Sequence, residues 1–216
     1  MIVFLLGATG GTGYEILKGL IQNNYTVKAL VRNPFKLNLA EINQLQEGQV
    51  ELIKGSVFEP DKLKEHFKGC DVVISALGTG KDNSYTEVYS QGGRNILSAM
   101  RKTGMSRLIT ITTGAIDMSD PSNDNLFMDR ILRPKFNKVY YDMTRWVTVL
   151  DDTKDIDWTC VRPTYLRNKA FTGKYRVNSK HCPKGGWKIS RADLADFIIK
   201  QINSNEFIHQ KPVIAY

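Results

Sequence analysis

The feature that most constrains the fold is a glycine-rich turn between an apolar strand and an amphipathic helix. Residues 1–6 are apolar throughout, which is typical of a central parallel strand buried on both faces. The heptapeptide Gly7-Ala8-Thr9-Gly10-Gly11-Thr12-Gly13 follows, and apolar residues then recur at helical spacing up to Gln22. A strand, a glycine turn and a helix in this order predict the start of a βαβ unit.

The same alternation continues along the chain. Further strands are predicted at residues 26–31, 50–54, 71–77, 108–113, 158–161 and 212–215, with a short extended segment at 174–177, and helices at 60–67, 85–103, 138–150 and 190–202. This pattern predicts an α/β protein of Rossmann type, with a doubly wound parallel sheet in three α/β/α layers. Residues 114–137 form a long, partly helical excursion that we expect to cover a substrate, and residues 164–216 supply the C-terminal elements of one domain.

Composition excludes several classes of protein. Of the 216 residues, 42% are apolar and 24% charged, and no apolar run approaches the ~18 residues that a transmembrane helix needs. The net charge of +8 is scattered along the chain, so we expect neither a nucleic-acid nor a membrane partner. Three cysteines without a C-x-x-C pair and a first strand that starts at Met1 favour a cytoplasmic location. The three histidines lack zinc-site spacing, so we expect no metal.

The glycine turn predicts a site for a dinucleotide diphosphate. Glycines at its first, fourth and seventh positions allow a tight turn, a close approach of backbone to phosphate and close helix-to-strand contact. The free N–H groups and the positive end of the helix dipole then face the phosphates. The predicted cofactor contacts here are Gly7, Thr9, Gly10, Gly11, Thr12 and Gly13. The alternative is a glycine turn that merely joins two elements.

Arg32, at the end of the second strand, predicts the choice of cofactor. A carboxylate at this position would accept hydrogen bonds from the ribose 2′-hydroxyl of NAD. A guanidinium instead forms charge-assisted hydrogen bonds to the 2′-phosphate of NADP, and Asn33 and Lys36 are near enough in sequence to assist. The sequence therefore predicts NADP(H) as the cofactor. The alternative is a solvated arginine at a strand end.

Several short segments together resemble a known family. Besides residues 7–13 they are Leu30-Val31-Arg32, Leu77-Gly78-Thr79, Gly93-Arg94-Asn95-Ile96, Val161-Arg162-Pro163, Thr172-Gly173-Lys174-Tyr175 and Ile189-Ser190-Arg191-Ala192-Asp193-Leu194-Ala195. Over nearly its whole length the chain resembles the atypical short-chain dehydrogenases with an NAD(P)H-binding, NmrA-like domain. It is most similar to the flavin reductase and biliverdin-IXβ reductase type.

The resemblance implies further site residues after the later strands. The implied cofactor contacts are Ser56, Val57, Leu77, Gly78, Thr79, Thr112, Thr113, Pro163 and Thr164. Of these, Pro163 and Thr164 would lie near the nicotinamide, together with Tyr165. Three positions depart from the family: Ser56 replaces a frequent aspartate, Gly114 a serine and Tyr165 a histidine. These departures imply an altered substrate pocket. For Thr112 and Thr113, the alternative is a pair of β-branched residues that finish a strand.

The candidate catalytic residues are Tyr165, Tyr141 and Arg145. Typical short-chain dehydrogenases carry a tyrosine followed four residues later by a lysine, whose ammonium lowers the pKa of the phenol. In the helix predicted at residues 138–150, Tyr141 is followed four residues later by Arg145, a permanent cation that cannot relay a proton. The alternative is an amphipathic helix that buries Trp146 and Leu150. Ser190-x-x-Asp193 has the form of a helix capping box.

Two functions follow as hypotheses. The first is an NADPH-dependent reductase, monomeric or homodimeric, that transfers hydride to a small-molecule aromatic acceptor such as a flavin or quinone. The second is an NADP-binding redox sensor or regulator of NmrA-like type without turnover, which Arg145 in the place of a lysine after Tyr141 favours. An epimerase or dehydratase would need a tyrosine-lysine pair and a larger C-terminal domain.

Overall fold

An eight-stranded sheet forms the centre of the computed structural model, which describes residues 1–37, 48–80 and 82–216. Its strands are β1 (Ile2–Leu6), β2 (Thr26–Val31), β3 (Val50–Lys54), β4 (Val72–Ser75), β5 (Arg107–Ile111), β6 (Asp157–Pro163), β8 (Arg176–Asn178) and β10 (Val213–Ala215). The strand order is β3-β2-β1-β4-β5-β6-β10-β8, and every pairing is parallel except that of β10 with β8. The predicted doubly wound parallel sheet is confirmed.

Helices cover both faces of the sheet. They are α1 (Gly11–Gln22), α2 (Pro60–Phe67), α3 (Ser90–Thr103), α4 (Arg133–Asp152) and α5 (Arg191–Lys200). Apolar residues of α1 and α5 pack into one core with one side of the strands, and those of α2, α3 and α4 pack into a second core on the other side. This arrangement gives the predicted three α/β/α layers.

The winding of the chain places a crevice beside β1. This strand pairs with β2 on one side and with β4 on the other, so the direction of winding reverses between β1 and β4. Val3, Phe4, Leu5 and Leu6 are all fully buried, as expected for a central strand covered on both faces. In open α/β sheets, ligands bind outside the carboxyl ends of the strands at such a reversal.

Helix α3 starts later than the sequence predicts. We expected a helix from residue 85, but α3 begins at Ser90. The carboxylate of Asp142 on α4 accepts hydrogen bonds from the backbone N–H groups of Tyr89, at 2.9 Å, and Ser90, at 3.3 Å, and from the Ser90 hydroxyl. The prediction was wrong because this cap comes from a residue more than fifty positions away, which local sequence signals do not show.

The long excursion after β5 contains more helix than expected. A π-helical turn, Met128–Leu132, runs directly into α4, which starts at Arg133 and not at residue 138 as predicted. Pro134 lies in the first turn of α4, where a missing N–H group costs little, so it does not interrupt the helix.

A small separate sheet was not predicted at all. Its two parallel strands are β7 (Tyr165–Arg167) and β9 (Lys188–Ser190). Three residues each are too few to show a periodic pattern in the sequence.

The described residues contain no helix that is both long enough and apolar enough to cross a membrane.

Gly93 tests the contact between α3 and α4. A Cβ at this position would lie 2.4 Å from the ring of Trp146, whose Nε1 donates a hydrogen bond to the Thr110 hydroxyl. Gly93→Ala should therefore lower the free energy of unfolding by about 1–3 kcal/mol, although alanine is the better helix former. Urea unfolding measures this, with Ser98→Ala on the same helix as the control. Equal or increased stability of Gly93→Ala would show that the two helices are not packed this closely.

Candidate functional site

The turn after β1 leaves no room for side chains at two of its glycines. Gly7 has a φ of +87°, and a Cβ there would lie 2.3 Å from the carbonyl oxygen of Ala76. A Cβ on Gly13 would lie 2.1 Å from the carbonyl oxygen of Gly7. Because a carbon and an oxygen that are not bonded to each other do not approach so closely, both positions require glycine. Helix α1 can therefore begin directly at the end of β1.

The first turn of α1 presents backbone N–H groups to solvent. Gly10 occupies the N-cap position, and within the described parts of the chain no side chain caps this helix. Thr9, Gly10 and Gly11 are exposed and Thr12 is half-buried. Free N–H groups at the positive end of a helix dipole bind anions. The geometry of the predicted diphosphate loop is thus suited to an anionic ligand.

Gly10 differs from its neighbours because the fold itself does not require it to be glycine. A Cβ there would lie 3.4 Å from the carbonyl oxygen of Gly7, an ordinary contact, and its φ is −84°. A side chain at this exposed point would instead occupy the space in front of the N–H groups. The residues of this loop therefore fit a bound dinucleotide, with Gly7 and Gly13 shaping the turn and Gly10 leaving it open.

The three residues predicted to select NADP lie together after β2. Arg32, Asn33 and Lys36 are all exposed, and β2 pairs with β1, so they lie at the same edge of the sheet as the glycine turn. The Asn33 side chain accepts a hydrogen bond from the Phe35 N–H at 3.0 Å and caps a short 3-10 turn. The two cations remain the candidates for a 2′-phosphate, whereas the Asn33 oxygen already has a structural partner.

Ser56 and Val57 connect the end of β3 to the helices behind it. The Ser56 N–H donates to the Glu59 carboxylate at 3.0 Å, and its hydroxyl accepts from the Phe58 N–H at 3.2 Å. Val57 is buried, and its carbonyl accepts from the Asn95 side chain at 3.0 Å. The structure thus gives both residues a structural role at the sheet edge.

The segment after β4 follows a strand next to β1, and Tyr89 lies beside it. Leu77 and Thr79 are half-buried and Gly78 is exposed. The hydroxyl of Tyr89 lies 3.4 Å from where a Cβ of Gly78 would be. Burial, together with the charge of Asp142, holds the pKa of Tyr89 well above its usual value. Tyr89 therefore offers a neutral hydroxyl next to Gly78.

The polar groups after β5 and β6 mainly join the two strand ends. The Thr112 hydroxyl lies 3.3 Å from the Cys160 sulfur, and burial raises the pKa of that thiol to about 11. The Thr113 hydroxyl donates to the Pro163 carbonyl at 3.4 Å and accepts from the Ala115 N–H at 3.3 Å. These contacts agree with the alternative interpretation of Thr112 and Thr113 as strand-end residues.

Pro163 and Thr164 end β6 at the same edge. Pro163 is buried, and the Thr164 hydroxyl donates to the Ile214 carbonyl at 3.4 Å. Only the half-buried Thr164 of this pair therefore has surface to offer a ligand.

Tyr165 belongs to an exposed aromatic pair. Its ring stacks on Trp187, with centroids 6.3 Å apart and planes 20° apart, and the Lys188 ammonium lies 4.8 Å from the Trp187 centroid. Tyr165 and Trp187 remain 65% and 58% exposed, which is unusual for such large rings. The parallel pairing of β7 with β9 brings them together, so the sequence alone did not reveal Trp187 as a site residue.

Tyr141 and Arg145 form a separate group on the outer side of α4. The guanidinium carbon of Arg145 lies 5.9 Å from the Tyr141 ring centroid, and its Nη1 lies 3.6 Å from the Glu87 carboxylate. Tyr85 also donates to Glu87, at 3.1 Å. Tyr141 is 62% exposed. The three candidate catalytic residues thus lie in two groups, since Tyr165 contacts Trp187 and not this pair.

The capping role predicted for Ser190 and Asp193 is present. The Ser190 hydroxyl accepts from the Asp193 N–H at 3.0 Å at the start of α5. Burial alone would raise the pKa of Asp193, but hydrogen bonds from Tyr216, Thr172 and Gly173 hold it below its usual value. This carboxylate ties a loop and the last residue of the chain to α5.

Arg191 lies next to the glycine turn, a position that the sequence alone did not predict. A Cβ on Gly11 would lie 3.0 Å from its Nε, so the arginine side chain covers the first residue of α1. Its Nη1 donates to the Asn168 side chain at 2.6 Å. The sequence signal was a cation directly after the N-cap Ser190, where a helix dipole disfavours positive charge.

A cavity of about 580 Å³ lies between α4 and the turn that follows β5. Its lining mixes apolar and cationic side chains: Ile116, Asp117, Met118, Ser119, Thr144, Val147, Arg162, Ser179, Lys180, His181 and Lys211. Arg162 is buried and forms an ion pair with Asp117 at 2.7 Å. The cavity shares no lining residue with the glycine turn.

Comparison with known proteins agrees with this site. A family model described as NAD(P)H-binding matches residues 7–205, which include the glycine turn and the segments after each strand up to α5. The uncharacterized protein YwnB of Bacillus subtilis is 26% identical over 220 residues, covering 98% of this chain and 96% of that protein. YhfK of the same organism, named an uncharacterized sugar epimerase, is 27% identical and covers 94% of this chain and 88% of that protein.

A solved structure supports the fold. The oxidoreductase ylbE from Lactococcus lactis superposes with a TM-score of 0.81 at 21% identity, covering 100% of this chain and 90% of that chain. At this level of identity the likeness concerns the fold alone.

Gly10→Ala should separate ligand binding from folding. Since the fold has space for the new methyl group, the free energy of unfolding should change by less than about 1 kcal/mol. NADPH affinity should fall about tenfold or more, because the methyl group blocks the approach to the N–H groups. Gly13→Ala is the contrasting variant and should lose stability outright. Calorimetric titration and urea unfolding measure both effects, and undiminished NADPH binding by Gly10→Ala would contradict the assignment.

Proposed function

Because the chain belongs to the NAD(P)H-binding family, we propose that it is an NADPH-dependent oxidoreductase that reduces a small aromatic acceptor of the flavin or quinone type. A bound dihydronicotinamide supplies a hydride, that is, two electrons and one proton equivalent. The acceptor gains this hydride and takes its second proton from water. The chain's own residues bind and orient the two partners and exclude water from between them.

The stacked pair Tyr165 and Trp187 is the main observation in favour of an aromatic acceptor. Both rings are largely exposed after β6 and before α5, next to the predicted nicotinamide contacts Pro163 and Thr164. Aromatic rings stack on one another with a gain of about 0.5–1.5 kcal/mol beyond the burial of their surface. An exposed stack at a binding edge is therefore suited to hold a third planar ring.

Other exposed apolar side chains lie in the segments that follow β5 and β6. They are Met118, Leu126, Phe127, Ile131 and Phe171. Phe136 and Tyr140 on α4 add a second stack, with centroids 5.7 Å apart. Five large apolar side chains exposed in these segments favour a binding region over an ordinary solvated loop. The excursion at residues 114–137 thus supports the proposed role of covering the acceptor.

The proton chemistry of the site supports the same choice of acceptor. Tyr141 is paired with Arg145, which is a permanent cation and does not exchange protons near neutral pH. Reduced flavins and quinones can be protonated by solvent, so they need no proton donor from the protein. A reaction that transfers protons to and from a sugar carbon, as an epimerase carries out, requires such a donor.

Arg32 is the reason for proposing NADPH, and not NADH, as the cofactor. It is exposed at the end of β2, with Lys36 one turn further on, so two cations are available to a 2′-phosphate. Charge-assisted hydrogen bonds contribute about 1.5–3 kcal/mol each. We also propose that the protein acts in the cytoplasm, as a monomer or homodimer, without nucleic-acid or membrane partners.

Arg32→Asp should reverse the cofactor preference. The carboxylate repels a 2′-phosphate, so the Kd for NADPH should rise about tenfold or more, whereas NADH should bind equally well or better. Quenching of tryptophan fluorescence on titration with each dinucleotide measures both constants. Lys102→Asp makes the same charge change near the C-terminal end of α3, away from the carboxyl edge of the sheet. It should change neither the Kd for NADPH nor the Kd for NADH. An equal loss of both cofactors in Arg32→Asp would refute recognition of the 2′-phosphate.

Loss of NADPH absorbance in the presence of flavins, quinones, tetrapyrroles and aldehydes tests the reaction. We expect turnover with at least one planar aromatic acceptor and little with aldehydes. Tyr165→Ala should then lower kcat/KM for that acceptor about tenfold, because one stacking ring is lost, with the Kd for NADPH unchanged. If NADPH binds but no acceptor is reduced, the protein is instead an NADP-binding sensor or regulator.

A further inference from the structure

The N-terminal ends of α1 and α5 lie side by side. Arg191, the first residue of α5, covers Gly11, the first residue of α1. Eight residues further along each helix, Gly19 faces Ile199, whose terminal methyl would lie 2.4 Å from a Cβ on Gly19. The first residues of α1 and α5 contact each other, and so do the ninth residues. The two helices therefore run parallel. Their positive dipole ends therefore meet at the same place.

Arg191 adds a third positive group to these two helix ends. A cation at a helix N-terminus is electrostatically unfavourable, and here two N-termini contribute. Its hydrogen-bond acceptor is the neutral Asn168 amide, at 2.6 Å. Over residues 1–37, 48–80 and 82–216 no carboxylate forms an ion pair with Arg191. Within these ranges, the local charge is thus left uncompensated.

Three acidic groups of α1 and α5 have other partners. Glu15, which lines the same groove between α1 and α5 as Arg191, pairs with Lys18 at 2.9 Å. Asp196 in that groove pairs with Lys200 at 2.7 Å. Asp193 accepts hydrogen bonds from Ser190, Thr172, Gly173 and Tyr216 and is fully buried. None of the three is therefore available to neutralise the guanidinium.

We infer that Arg191 is a side-chain ligand of the dinucleotide diphosphate, held in place for that role by Asn168. This inference rests on the dinucleotide binding of the proposed function. A guanidinium binds phosphate oxygens through charge-assisted hydrogen bonds, and a diphosphate compensates both helix ends and the arginine together. Gly11 then has a specific purpose: it leaves room for the arginine stem beside the N–H groups that bind the same ligand.

Arg191 and Arg32 should affect different parts of the ligand. Arg191→Gln removes the positive charge next to the diphosphate, which NADPH and NADH share. The Kd for NADPH and the Kd for NADH should therefore both rise, each about tenfold. Arg32→Asp should weaken NADPH alone. Adenosine 2′-monophosphate, which lacks the diphosphate, should bind Arg191→Gln as it binds the native protein but should bind Arg32→Asp more weakly. Asn168→Ala should give a smaller loss than Arg191→Gln with both dinucleotides.

The stability of the ligand-free protein separates binding from packing. Because Arg191 opposes two helix dipoles, Arg191→Gln should leave the Tm of the ligand-free protein unchanged or raise it. Arg191→Lys keeps the charge but not the paired geometry, so its affinity should lie between those of the native protein and Arg191→Gln. Lys102→Gln, which removes an exposed charge from α3, is the control and should bind as the native protein does.

Two results would overturn the inference alone. One is native affinity of Arg191→Gln for both dinucleotides. The other has two parts: both Arg191→Gln and Arg191→Lys lower the Tm of the ligand-free protein, and both reduce dinucleotide binding by the same factor. That result would make the arginine a packing residue. Failure of the native protein to bind either dinucleotide would instead overturn the proposed function, and the inference with it.

Discussion

The contact between the backbones of Gly7 and Gly13 determines how the carboxyl edge of the sheet is built. Since neither residue can carry a Cβ, α1 begins directly at the end of β1 and its first N–H groups face the crevice between β1 and β4. Helix α5 packs parallel to α1, so its N-terminus reaches the same point. The other parallel strands also end at this edge, and the segments that follow them begin there. The position of α1 thus fixes which groups surround a ligand.

Sequence patterns predicted the parts of the fold that depend on local chemistry. The buried strands, the glycine turn and the Ser190 cap all show in neighbouring residues, and their positions were right to within a few residues. The start of α3 was missed because its cap, Asp142, is brought in by α4. The pairing of β7 with β9 was missed because it depends on register between distant three-residue strands.

In the candidate site, too, the sequence predicted the local features but not the contacts between distant residues. A phosphate loop is a local motif, so the sequence predicted residues 7–13 as one unit and the family match includes them. Whether a hydroxyl is free for a ligand depends instead on which distant carbonyl lies beside it. Thr113 donates to Pro163, and Thr164 donates to Ile214. Arg191 is far from the glycine turn in sequence, so only the packing of α5 on α1 reveals it.

The ionisable groups near this edge favour binding over acid-base chemistry. Asp142 and Asp193 are buried, and each accepts several hydrogen bonds at the start of a helix, so proton transfer to either would break a cap. Burial keeps the pKa of Tyr89 high, and its phenol stays protonated as a hydrogen-bond donor. Arg191 and Arg32 are permanent cations. Groups that do not change their charge can hold a dinucleotide and orient it, but they supply no proton. Such an edge therefore supports the proposed acceptor of the flavin or quinone type, which needs only a hydride from its partner and can take its proton from water.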